Sequence, residues 1–125
     1  MAQRSAADPD ARSFLPLTPL AFHALMALAD AGRHGYGIIQ EVESRTDGVI
    51  RLRSGTLYTL LQRLLAETLI VESDERPRSE DDDQRRRYYA LTALGREVLA
   101  ADARRLETAV AEARRKRVLK GASRA

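Results

Sequence analysis

The chain has no cysteine, which excludes disulfides, thiolate metal sites and thiol nucleophiles. No apolar run approaches the roughly 20 residues needed to cross a bilayer, and residues 1–13 lack the apolar core of a signal peptide. A cytoplasmic protein with no membrane partner is therefore expected. Histidine is also scarce. His23 and His34 lie far apart, which argues against a zinc site or a catalytic triad. Asp81-Asp82-Asp83 lacks the further ligands and the glycine-shaped loop of a calcium site. Gly35-Tyr36-Gly37 is too short for a phosphate loop. No paired acid and base at useful spacing stands out. No enzyme, cofactor or metal is expected.

What is present is a core and an uneven charge. The 125 residues suggest one domain, and 44% are hydrophobic. The net charge is only +3, but it is segregated. Residues 1–68 are balanced, residues 69–83 carry two basic and seven acidic side chains, and residues 84–125 carry twelve basic and four acidic. A basic strand and tail therefore flank an acidic loop, a pattern that favours a polyanionic partner.

The periodicity predicts helix, helix, helix, hairpin, long helix. Residues 1–14 show no pattern and are expected to be disordered, as are residues 121–125. Thr18-Pro19 opens a first helix, Leu20 to Ala31, by capping and by proline at the first helical position. This helix is apolar almost all round. One face can pack inward and the other then needs a partner, which is the first pointer to a dimer. His23 within it reads as a core or interface histidine with one satisfied nitrogen. A second helix is expected from about Gly37 to Thr46, with His34 capping or packing in the turn before it. Val49 to Leu52 reads as a short extended segment.

Ser54 is the expected cap of a third helix. Leu57, Leu60, Leu61, Leu64 and Leu65 follow one helical stripe without a gap. Leu69 to Ser73 and Arg86 to Leu91 are the expected strands of a two-stranded wing around a long charged loop. Tyr88 and Tyr89 should point to opposite faces, with at least one in the core. Thr92 caps a last helix reaching about Lys120. Along it Leu99, Leu106 and Ala113 recur every seven residues, as do Ala103, Val110 and Arg117, giving a thin coiled-coil-like seam. The fold class is mainly α (α+β), a winged helix-turn-helix over residues 15–92 followed by a dimerisation helix over residues 93–120.

The outer side of the third helix is small, polar and basic, which allows close approach to a duplex. Ser54, Gly55, Thr56 and Thr59, with the free N–H groups of the helix start, suit a phosphate. Arg51 and Arg53 lie just upstream. Gln62 and Arg63 can reach base edges. Tyr58 fits a phosphate donor and a half-buried packing residue equally well. Arg85, Arg86 and Arg87 supply the wing, although alternation sends Arg86 away from the other two. The basic end, Arg114 to Arg117, reads as solvated.

His34-Gly35-Tyr36, then Gly55-Thr56-Leu57-Tyr58 with its leucine continuation, then Arg87-Tyr88-Tyr89-Ala90-Leu91-Thr92 with Gly95, resemble PadR-type transcriptional regulators over about residues 15 to 110. The resemblance implies a dimer, usually a repressor, paired through its first and last helices. Leu20, Phe22, His23 and Met26 would then meet Leu99, Ala103, Leu106 and Val110. It also implies a small aromatic effector near that interface. Phe22, Met26, Leu99 and Ala103 can line such a cavity, although helix packing is the more general role for all four. Three departures stand out. Thr68 replaces the glycine common before the wing, the wing loop is acidic, and no tryptophan is available to stack on a drug. The expected function is a homodimeric, sequence-specific DNA-binding repressor on an inverted-repeat operator. The alternative is a winged-helix dimer that binds a ligand or a protein and has little DNA affinity, which the acidic wing would favour.

Overall fold

The computed structural model describes residues 10–73 and 87–120. A 3-10 turn, Ala11–Phe14, comes first, with Asp10 accepting from the Arg12 backbone N–H at 3.0 Å. Residues 10–14 are thus ordered, against expectation, because Ala11, Phe14 and Leu15 pack on the core. Helix α1 spans Pro19–Ala27, and Thr18 Oγ1 accepts from Ala21 N at 3.1 Å as expected. It stops at Ala27, short of Ala31. Two guanidiniums take over the carbonyls beyond that point: Arg33 Nε donates to Ala27 O at 2.7 Å and Arg96 Nη2 to Ala29 O at 3.0 Å.

Strand β1 is two residues, Arg33–His34, and leads directly into helix α2, Gly35–Arg45. His34 Nδ1 caps α2 by accepting from Gly37 N at 3.0 Å, so the helix begins two residues earlier than predicted. Asp47 (φ 52°) and Gly48 (φ 78°) turn the chain with left-handed backbone. Residues 49–52 form no strand; Thr46 Oγ1 holds the turn by accepting from Ile50 N at 3.1 Å. Helix α3 follows at Ser54–Ala66. Its cap position is Arg53, which makes no side-chain capping bond, and Ser54 is the first helical residue. The predicted Ser54 cap is therefore wrong by one position.

Strands β2 (Ile70–Ser73) and β3 (Tyr88–Leu91) form the wing, and helix α4 runs Ala93–Arg115. The sheet has three antiparallel strands in the order β1-β3-β2, not two. Arg33 lies opposite Tyr89, His34 opposite Tyr88, and Ile70 opposite Leu91. Both tyrosines are buried although they point to opposite faces. Tyr89 joins the core, while Tyr88 packs edge-on against the His34 ring at 5.2 Å. The residue pair in β1 covers the edge of β3 that β2 leaves open. Thr92 caps α4 by accepting from Gly95 N at 2.9 Å and ties it to the wing by donating to Thr68 O at 2.6 Å.

The core is mostly leucine and alanine. Leu25, Leu57, Leu61, Leu64 and Leu69 are essentially fully buried, with Ile38 and Val42 from α2 and Val98 from α4. Truncating one such leucine costs about 2–5 kcal/mol, a large share of a small domain's stability. Among the described residues no helix is long and apolar enough to cross a membrane.

Candidate nucleic-acid interface

The leucine stripe decides how α3 faces. Leu57, Leu60, Leu61 and Leu64 turn inward, so Ser54, Gly55, Thr56, Tyr58, Thr59, Gln62 and Arg63 are left exposed. Apart from its chain neighbours and the backbone of α3 itself, nothing lies within 4 Å of where a Cβ on Gly55 would stand. The helix start thus presents backbone to the outside with no side chain over it. With no capping side chain at Arg53, its first N–H groups remain available to an anion. This is the expected docking surface, and the fold leaves it uncovered.

The flanking cations differ in their freedom. Arg53 is exposed and makes no ion pair among the described residues. Arg51 Nε donates to Gly48 O at 3.2 Å and lies 3.8 Å from Glu43, so it partly serves the turn between α2 and α3. Arg63 faces Glu67 one turn on at 3.9 Å, a loose and exposed pairing that does not hold it. Arg87 reaches across the wing to Glu72 at 3.3 Å. Its guanidinium is partly neutralised there, which weakens its expected role toward DNA. Arg85 and Arg86, and the acidic loop between the strands, lie outside the described residues.

Three features were not legible in the spacing. The start of α1 borders α3: Thr18 and Leu20, with Gly55, Thr56, Thr59 and Arg63, line a groove of about 500 Å³. Leu20, expected at a dimer interface, borders the outer face of α3 in the protomer. Tyr36 is 56% exposed and stacks on His34 at 6.5 Å, placing an aromatic at the start of α2. Tyr58, nearly half exposed, rests over Gly35, so it packs against α2 while leaving part of its ring open on the outer side.

The remaining predicted residues separate by burial. Phe22, His23, Met26 and Ala103 are half-buried, and Leu106 and Val110 are exposed on the part of α4 that projects past the domain. Leu99 belongs to the protomer's own core, at 6% exposure, because it follows Val98 on the face that meets the rest of the fold. It offers no surface to a partner or a ligand. His23 Nδ1 lies 3.1 Å from Arg45 Nη1, and Arg45 Nη2 donates to His23 O at 3.2 Å. Arg45 also holds Glu41 at 3.0 Å, so this cluster clasps α1 to α2. Burial, then the Arg45 charge, lowers the His23 pKa, and Glu41 opposes them. Burial, then Glu72 and Tyr58, raises the Tyr89 pKa, and Arg87 opposes them.

Two stacked helices, an exposed third helix start and a flanking antiparallel wing define a winged helix-turn-helix protein. The sequence profile of the transcriptional regulator PadR-like family matches residues 24–101, and the chain belongs to that family. It is a DNA-binding transcriptional regulator and not an enzyme. It is 39% identical over 85 residues to a transcriptional regulator of Mycobacterium tuberculosis, covering 68% of this chain and 73% of that one. Its fold matches a PadR family transcription regulator of Clostridium difficile with a TM-score of 0.64 at 22% identity, over 82% of this chain and 100% of that one. It also matches Bacillus subtilis PadR in complex with operator DNA, with a TM-score of 0.56 at 20% identity, over 67% of this chain and 46% of that one. At these identities the two structural likenesses speak for the fold.

Proposed function

We propose that the chain is a homodimeric, sequence-specific repressor acting in the cytoplasm on an inverted-repeat operator. The observation that carries this reading is the uncovered outer face of α3, with Gly55, Thr56, Thr59, Gln62 and Arg63 exposed and leucines behind them. A helix start with free N–H groups and small side chains enters a major groove, where Gln62 and Arg63 meet base edges. Bacillus subtilis PadR, which shares the fold, has been solved in complex with operator DNA, and this supports an operator as the partner.

Pairing is assigned to α4, whose distal half carries Leu106 and Val110 in the open, with Ala103 and Phe22 and Met26 of α1 at its base. A twofold pair would set two α3 helices about 34–36 Å apart, one turn of duplex. Phe22, Met26 and Ala103 are the residues of this reading that line a site for a small aromatic effector. Such an effector would release the operator by favouring a dimer with a different α3 spacing.

Fluorescence anisotropy with a duplex from the region upstream of the chain's own gene tests the reading. Affinity should exceed that for a scrambled duplex and fall steeply with salt. Arg63→Ala and Thr59→Ala should each weaken specific binding by about five- to a hundred-fold, corresponding to about 1–3 kcal/mol for a base or phosphate contact. Equal affinity for both duplexes at low salt would refute sequence-specific binding.

A further inference from the structure

The groove between the start of α1 and the outer face of α3 is rich in apolar groups for a surface that meets DNA. Half-buried Leu20 and buried Leu60 border it, and Thr56 and Thr59 each bring a methyl group. Its polar groups are few. Thr18 Oγ1 caps α1 by accepting from Ala21 N at 3.1 Å. Arg63 stands one turn beyond Thr59 on α3 and is only loosely paired with Glu67. Around α1, Leu20 lies about 160° from Phe22 and about 120° from Met26, at about 100° per residue. The groove is therefore on the side of α1 turned from the proposed pairing face.

We propose that this groove is a specificity site of the DNA-binding surface and takes the C5-methyl group of an operator thymine. The inference rests on α3 entering a major groove, as proposed above. A phosphate would need donors along the groove, and the side chains of Leu20 and Leu60 give none. At base edges in a major groove the methyl group on offer is that of thymine, and apolar side chains and threonine methyls suit it. Thr59 and Arg63 are four residues apart on α3, about 6 Å along its axis. Successive bases of a strand are about 3.4 Å apart. The thymine therefore falls within about two base pairs of the edge that Arg63 meets, for which guanine is the fitting base.

Uracil scanning of the upstream duplex, read by fluorescence anisotropy, tests the site. Each thymine is replaced in turn by uracil, which differs only by the missing methyl group. One position in each half-site should weaken binding by about three- to fivefold, as loss of one buried methyl group does. Thr59→Ser and Leu20→Ala should bind the unmodified duplex more weakly and lose most of the uracil effect there. Thr59→Ser keeps the hydroxyl at an exposed position, so it reports even if Leu20→Ala fails to fold. A parent protein that prefers the upstream duplex to a scrambled one, yet shows no loss at any thymine, overturns the inference and leaves the DNA-binding reading intact. An undiminished uracil loss in either folded variant also overturns it. Absence of any preference removes the reading on which the inference rests, and the inference with it. A folded Leu20→Ala protein with a lower sedimentation coefficient would assign Leu20 to a second copy of the chain and overturn the proposal too.

Discussion

Tyr58 of α3 covers Gly35 at the start of α2, with its hydroxyl 2.5 Å from where a Cβ on residue 35 would stand. The contact sets the approach of the two helices of the DNA-binding unit. A similar relationship joins Gly95 of α4 to the carbonyl oxygen of Leu69, where a Cβ would overlap backbone.

These two glycines should respond differently to alanine. In Gly35→Ala the obstacle is the tip of a half-exposed side chain, which can swing aside. Stability should change by less than about 1 kcal/mol, while operator affinity falls with the displaced Tyr58. In Gly95→Ala the obstacle is the Leu69 carbonyl, fixed between β2 and the Thr92 cap. A loss of about 3 kcal/mol or more is expected. Urea unfolding of both variants measures the contrast, and equal losses would contradict it.

Thr68 has φ 59°, a left-handed conformation that costs a β-branched residue about 1–2 kcal/mol. Glycine adopts it freely but loses more chain entropy on folding. Thr68→Gly should therefore stabilise the protein by about 0.5–1 kcal/mol, seen as a Tm higher by a few degrees. A lower Tm would mean that the Thr68 hydroxyl bond to Glu67 O outweighs the backbone term.

The clasp between His23 and Arg45 predicts a dependence on pH. Burial and Arg45 lower the His23 pKa below its ordinary 6.5. The unfolded chain then takes up the proton first as pH falls. The contribution of His23 is fully present above about pH 6.5 and is lost as pH drops from there toward the folded value. Tm recorded from about pH 8 down to pH 5 should decline less steeply in His23→Gln than in the parent. Parallel curves would remove His23 from the account.

Burial divides the predicted pairing stripe into two kinds of residue. Leu106→Asp and Val110→Asp, both exposed, should lower the sedimentation coefficient while helix content is kept. Leu99→Asp should instead unfold the domain, because it places a charge in the core. A dimer that survives both exposed substitutions would reject the α4 seam.

Local rules carried much of this fold. The unbroken stripe from Leu57 to Leu65 could be read as a helix with one buried face, so Gly55, Thr59, Gln62 and Arg63 were found on its outside from spacing alone. Thr18 and Thr92 were legible as caps because capping depends on neighbours a few residues away.

Other features depend on residues that are distant along the chain. Arg33 and His34 become a strand because Tyr88 and Tyr89 come back beside them. The start of α1 borders α3 and the 3-10 turn lies on α4 by packing between elements that share no sequence pattern. A heptad that includes Leu99 cannot distinguish a core position from a partner-facing one, since both require an apolar side chain at the same spacing. Residue order was enough to say which faces are apolar and, within a residue or two, where most helices begin. Which of those apolar faces is consumed within the protomer was settled by packing, because burial depends on what lies against a surface and not on the residue that presents it.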